Sequence, residues 1–135
     1  MKILDPSENI SSIISLIDNA KEYVVMASPY TDLHGWDNLI DAINNAFKRG
    51  VEVSYYVRQE VCIAGTEALN ANIFEVPDLH AKMFFSEKEA MIGSFHLRNN
   101  DDINWAYVLD YPEEFDDLKN FFDINIKPIA IPYKG

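Results

Sequence analysis

Apolar residues recur near the start of the chain at helical spacing, with Ile10, Ile13, Ile14 and Ile17 falling at i, i+3, i+4 and i+7. Ser7 with Glu8 supplies a start signal for that helix. Tyr23 to Ala27 replaces the helical period with a continuous apolar run, the pattern of a buried strand. Trp36, Leu39, Ile40, Ile43 and Phe47 restore the period, and Lys48-Arg49-Gly50 closes this second helix with glycine just past its end. Val51 to Val57 predicts the next strand, Glu60 to Asn70 a short helix, and Ile73 to Val76 a further strand. Apolar strand formers then flank Glu87-Lys88-Glu89, which predicts a hairpin whose first strand runs from His80 to Ser86. A strand from Asn104 to Leu109 and a helix from Pro112, with Phe115, Leu118 and Phe122 inward, complete the pattern. Helices alternating with strands early and a meander late predict an α/β fold, a mixed β-sheet flanked by helices.

Composition narrows the organisation and the setting. The 135 residues, 48% hydrophobic and 13% aromatic, supply one core, so a single domain over 1–135 is expected. The lone Cys62 excludes an intrachain disulfide and is expected to be a small buried apolar residue. No run approaches the ~18 apolar residues of a membrane span, and the first residues lack an apolar signal core. A cytoplasmic protein with no membrane contact is therefore expected. The net charge is −11, and the stretch from Asp101 to Asp123 sets eight carboxylates against Lys119. That face repels DNA, whereas a protein that clamps a polyanion shows a basic one. Cations do gather near the hairpin, at Lys82, Lys88 and Arg98, with Arg58 at the end of another strand.

The hairpin carries the candidate chemistry. Strand alternation sets His80 and Lys82 on one face, and Ser94 and His96 have the same spacing. A hairpin symmetric about Lys88 pairs residues whose numbers sum to 176, His80 with His96 and Lys82 with Ser94, so that all four converge. Such a set suits a phosphodiester. Lys82 and Ser94 neutralise the equatorial oxygens, His80 attacks phosphorus as a neutral imidazole, and a second histidine protonates the departing alkoxide. A three-histidine metal set of His34, His80 and His96 is the competing reading, opposed by the cation Lys82 beside it and by the absence of a local ligand signature. No metal and no cofactor are expected.

Leu79-His80-Ala81-Lys82-Met83-Phe84-Phe85-Ser86-Glu87, followed by Gly93-Ser94-Phe95-His96-Leu97, resembles the HxKxxxxD and GSxN segments of the phospholipase D superfamily. Ala20 to Tyr30 resembles the first strand of such domains, and Ala46 to Val53 their helix-to-strand junction. The resemblance implies a metal-independent, nuclease-like phosphodiesterase with His80, Lys82 and Ser94 catalytic and His96, Lys82 and Ser94 holding substrate. It gives Glu87, Gly93 and Asn104 structural roles. It also implies a homodimer, because such sites are built from two motif copies, one supplying the nucleophile and the other the general acid. This sequence departs from the pattern at three places. Glu87 stands for aspartate, His96 stands for asparagine, and Ala106, within Asn104-Trp105-Ala106, stands where an acid braces the nucleophilic histidine. An unbraced histidine leaves a second expectation, a catalytically impaired dimer of the same fold that binds phosphate or nucleic acid or serves as an interaction module. Asp102 or Asp110 reached through a bulge, or a backbone carbonyl, are the substitute acceptors.

Overall fold

The computed structural model describes residues 2–98 and 103–134. Its centre is β2 (Tyr23–Ala27), hydrogen-bonded in parallel to β4 (Glu52–Arg58) and antiparallel to β6 (Met83–Ser86). Alternation makes this strand face two cores at once. Val24 and Met26 enter a core covered by α1 (Asn9–Asn19) and α2 (Asp37–Lys48), while Val25 and Ala27 enter a second one under α3 (Pro112–Asn125). An unbroken apolar run is therefore required here.

On one side of β4 the sheet continues in parallel through β5 (Asn72–Val76). On the far side of β6 it continues antiparallel through β7 (Ala90–Gly93) and β9 (Ala106–Val108). Short strands β1 (Lys2–Ile3) and β10 (Ile131–Pro132) close the edges, giving the order β1-β9-β7-β6-β2-β4-β5-β10. A separate two-stranded ladder joins β3 (Thr31–Asp32) to β8 (Leu97–Arg98) in parallel. The fold is thus a mixed sheet between helices, as the hydrophobic pattern predicts.

Local expectations differ from the structure at four points. The first helix is preceded by a single turn, Pro6–Glu8, capped by Asp5, whose side chain takes the Ser7 N–H while Glu8 reaches back to the Asp5 N–H. No helix forms between Glu60 and Asn70. Glu60 has φ 67°, Gly65 has φ 72°, and Asn44 of α2 bonds the Ala68 carbonyl and the Asn70 N–H, so this segment runs as an irregular connection whose end is held by side-chain bonds. Cys62 lies on that connection, which packs Ile63 and Leu69 against the core but leaves Cys62 exposed rather than buried. The last central strand is shorter than Asn104 to Leu109, beginning at Ala106.

Second-helix termination follows the sequence closely. Gly50 has φ 88°, which an L side chain rarely adopts. Arg49 beside it sends Nη2 to the carbonyls of Ile17, Asp18 and Ala20, so the end of one helix caps the exposed carbonyls of the other.

Candidate functional site

The hairpin register places Met83 opposite Ile92 and Phe85 opposite Ala90, so paired numbers sum to 175 rather than 176. A shift of one would send His80 and His96 to opposite faces if both lay in the ladder. Neither does. The first strand begins at Met83 and the second ends at Gly93, leaving 79–82 extended outside the ladder and a bend at Ser94. These free ends bring the rings together, with His80 and His96 centroids 6.2 Å apart at 62°.

Lys82 joins them. Its Nζ lies 3.4 Å from His80 Nε2 and donates to the His80 carbonyl at 3.1 Å. An ammonium offers only hydrogens, so Nε2 presents its lone pair here and the ring proton belongs on Nδ1. Partial burial lowers the Lys82 pKa from its ordinary value. Among the described residues, neither Lys82 nor the His80 ring bonds a carboxylate.

His96 is held differently. Its Nδ1 accepts the Tyr30 N–H at 3.4 Å, and the Tyr30 ring stands edge-on at 4.9 Å. With Nδ1 accepting, the proton of the neutral ring sits on Nε2. Desolvation first, then the positive fields of Lys82, of His80 when its ring is protonated, and of Arg98, lower its pKa to about 4. At neutral pH His96 is a hydrogen-bond donor and not an imidazolium. The following residue is pinned as well, since Leu97 N–H donates to the buried Ser28 hydroxyl at 2.6 Å.

Ser94 is not paired with Lys82. Its hydroxyl donates to Asn104 Oδ1 at 3.1 Å and accepts the Trp105 N–H at 3.0 Å, while its own N–H donates to the Trp105 carbonyl. Gly93 permits this bend, because a Cβ there would sit 2.7 Å from the Phe95 ring, which itself stacks on Phe84 in the core. Ala106 faces Gly93 across the ladder and is fully buried in the core under α1. Of Asn104, Trp105 and Ala106, the first two bond Ser94 and the third pairs with Gly93. Asp102, one substitute acceptor, lies outside the described residues.

Glu87 sits at the opposite end of the hairpin. Its carboxylate accepts the N–H groups of Lys21, Glu22 and Tyr23, at 2.9 to 3.2 Å, stapling the turn to the start of β2. Desolvation raises its pKa, but these backbone bonds outweigh that and hold it below the ordinary glutamate value. Two supports go beyond the sequence reading, which has Arg58 only as a nearby cation and does not single out Tyr30. Arg58 donates to the Leu79 carbonyl and lies 3.6 Å from Asp78, fixing the turn that delivers His80, and Tyr30 orients His96. Asp78 itself has φ 57°. Neither support carries a sequence signal, since one acts through a carbonyl and the other through a main-chain N–H.

His34 stays apart, its Nδ1 2.8 Å from Asp32 in an exposed loop. Among the described residues no group of three His, Cys, Asp or Glu side chains is placed to hold a metal ion.

The molecule is therefore an α/β protein with two imidazoles and an ammonium gathered where a hairpin's strands end. Its fold is that of the phospholipase D proteins. It matches a phospholipase D family member, Nuc from Salmonella typhimurium, with TM-score 0.76 and 17% identity, covering 99% of this chain and 97% of that one. NucT from Helicobacter pylori matches with TM-score 0.80 and 17% identity over 98% of both chains. The archaeal chromatin protein TrmBL2, whose structure shows a mode of DNA binding, matches at TM-score 0.67 and 12% identity, over 98% of this chain and 54% of that one. No family model and no curated protein matches the sequence.

Proposed function

We propose that this protein is a phosphodiesterase of the phospholipase D type, acting on nucleic acid through His80 in a two-chain site. The observation that carries the reading is the meeting of His80, Lys82 and His96, at 3.4 Å and 6.2 Å, on this fold and without a neutralising carboxylate among the described residues. A cation and two imidazoles left open suit an anionic oxygen. His80 Nε2 attacks phosphorus, forming a P–N bond as the bond to the leaving oxygen breaks, and water later cleaves the phosphohistidine. Lys82 and the His96 Nε2–H hold the non-bridging oxygens as charge shifts. Ser94 acts by setting the bend rather than by touching Lys82.

The leaving alkoxide needs a proton, and His96 is poorly suited to give one because its pKa is near 4. A second copy of His80 from a homodimer meets that need. Lys82 beside His80 repels a metal ion, so the ammonium and the imidazoles carry the charge stabilisation. The test is hydrolysis of bis(p-nitrophenyl) phosphate and of oligonucleotides in excess chelator, wild type beside His80→Ala. Chelator-resistant activity lost in the variant supports the proposal, and activity that survives it contradicts it.

A second reading has its own support. No carboxylate orients the His80 ring among the described residues, and losing such an orienter costs roughly four orders of magnitude in serine proteases. A protein of this kind binds phosphate or nucleic acid without turning it over, as TrmBL2 combines this fold with DNA binding. Binding without hydrolysis in the same assay selects it. Installing Ala106→Glu does not separate the readings, because that side chain enters the buried core.

A further inference from the structure

Ser28, just past the end of β2, is fully buried, yet its hydroxyl makes two bonds. It donates to the Tyr30 carbonyl at 2.9 Å and accepts the Leu97 N–H at 2.6 Å. Those partners lie on different segments: residues 28–31, which present the Tyr30 N–H, and residues 96–98, which carry His96. The β3–β8 ladder joins the same segments but pairs Thr31 with Leu97 and Asp32 with Arg98, beyond His96. The Ser28 hydroxyl is thus the side chain that ties the donor of the Tyr30–His96 bond to its acceptor.

The tie is itself anchored in the core. Ser28 N–H donates to the Tyr56 carbonyl, Thr31 Oγ1 donates to the Ser28 carbonyl at 3.1 Å, and the buried Tyr55 hydroxyl lies 2.8 Å from Thr31 Oγ1. A buried hydroxyl is costly unless bonded, and a satisfied cluster of them is rigid. What it holds is sensitive to position. A neutral imidazole takes the tautomer that the hydrogen bond at its other nitrogen dictates, and the Tyr30 N–H makes Nδ1 the acceptor and Nε2–H the ring's donor. That bond is 3.4 Å long, at the outer limit of hydrogen-bond geometry, so a small separation of the two segments breaks it.

We propose that Ser28 is a positioning residue of the anion site: by holding residues 28–31 against 96–98 it keeps His96 in the Nε2–H tautomer, as a donor to a non-bridging oxygen of the phosphodiester. The catalytic use of that tautomer rests on the phosphodiester reading of the cluster, whereas the tautomer itself does not.

The test records the ring nitrogen resonances of the three histidines at neutral pH in wild type, Ser28→Ala and Tyr55→Phe, beside the hydrolysis of bis(p-nitrophenyl) phosphate. Tyr55→Phe removes a hydroxyl from the same cluster and leaves both Ser28 bonds in place. Wild type and Tyr55→Phe should show His96 protonated on Nε2. Ser28→Ala should show a mixture of tautomers at His96, unchanged rings at His80 and His34, and a kcat lowered roughly 10- to 100-fold with KM little altered. Should Ser28→Ala not fold, Ser28→Cys, whose thiol bonds weakly, carries the same test. A Ser28 variant with the wild-type tautomer or the wild-type kcat overturns the proposal, as does a wild type protonated on Nδ1. Equal loss of the tautomer in Tyr55→Phe also overturns it, because general loosening of the core then explains the effect. A tautomer lost in Ser28→Ala beside a wild type that neither hydrolyses the diester nor binds inorganic phosphate defeats the phosphodiester reading, and the positioning role falls with it.

Discussion

The two ends of the β6–β7 hairpin treat their polar groups in opposite ways. At the turn the backbone donors are taken up by side chains: the Ser86 hydroxyl accepts the N–H groups of Lys88 and Glu89, and Glu87 accepts three more from the start of β2. At the open end Lys82 finds, among the described residues, only the ring and carbonyl of His80, and a second imidazole stands beside them. Buried or half-buried polar groups are ordinarily paired. A charge paired internally contributes to the fold, whereas a charge left open is free to bind, and the hairpin separates the two roles along about four residues of strand.

Replacing His80 is the most severe way to break the contrast. His80→Ala should lower phosphodiester hydrolysis by at least about a thousandfold with little change in thermal midpoint, since only the open end is altered. Glu87→Gln should do the reverse. Losing the charged acceptor from three N–H groups should cost about 1.5–3 kcal/mol of stability in denaturant unfolding. The pH dependence follows from the sign. A carboxyl whose folded pKa is depressed binds fewer protons folded than unfolded, so its stabilisation is present above its ordinary 4.5 and is lost as pH falls through the lower folded value. The gap between wild type and Glu87→Gln should therefore close in acid.

A smaller effect separates His96 from an ordinary surface histidine. Its pKa falls from 6.5 in the unfolded chain to about 4, so stability is fully present above 6.5 and declines as pH drops toward 4. His96→Asn should flatten that decline in equilibrium unfolding between these limits. The smallest effect is expected at Cys62, which is exposed and belongs to neither strand of the hairpin. Its thiol should react with maleimide in the native protein, and the modified protein should keep wild-type hydrolysis.

Much of this arrangement was legible in the residues, and the reasons are specific. The run Tyr23 to Ala27 announced a strand buried on both faces because no polar residue interrupts it. Gly50 marked the end of α2 because its backbone requires positive φ. The hairpin register was read one residue out, since Glu87-Lys88-Glu89 has no glycine to fix the turn, and the turn is set instead by the Ser86 hydroxyl and by Glu87 bonding a distant segment. His80 and His96 still meet, because they lie beyond the ladder where register no longer dictates direction. The segment from Glu60 to Asn70 misled because its conformation is imposed by Asn44 and by two residues at positive φ, which helical spacing does not reveal. Tyr30 escaped notice, and Arg58 was read only as a nearby cation, because both act through backbone groups, which no residue pattern encodes.

The three histidines allow the central claim, that the open end of the hairpin is an anion site, to be tested directly. Inorganic phosphate titrated into the isotopically labelled chain should shift the imidazole resonances of His80 and His96 saturably, leave His34 in its exposed loop unmoved, and lose both shifts in Lys82→Ala. Resonances of His80 and His96 that stay still at high phosphate, or move no more than those of His34, would contradict the account.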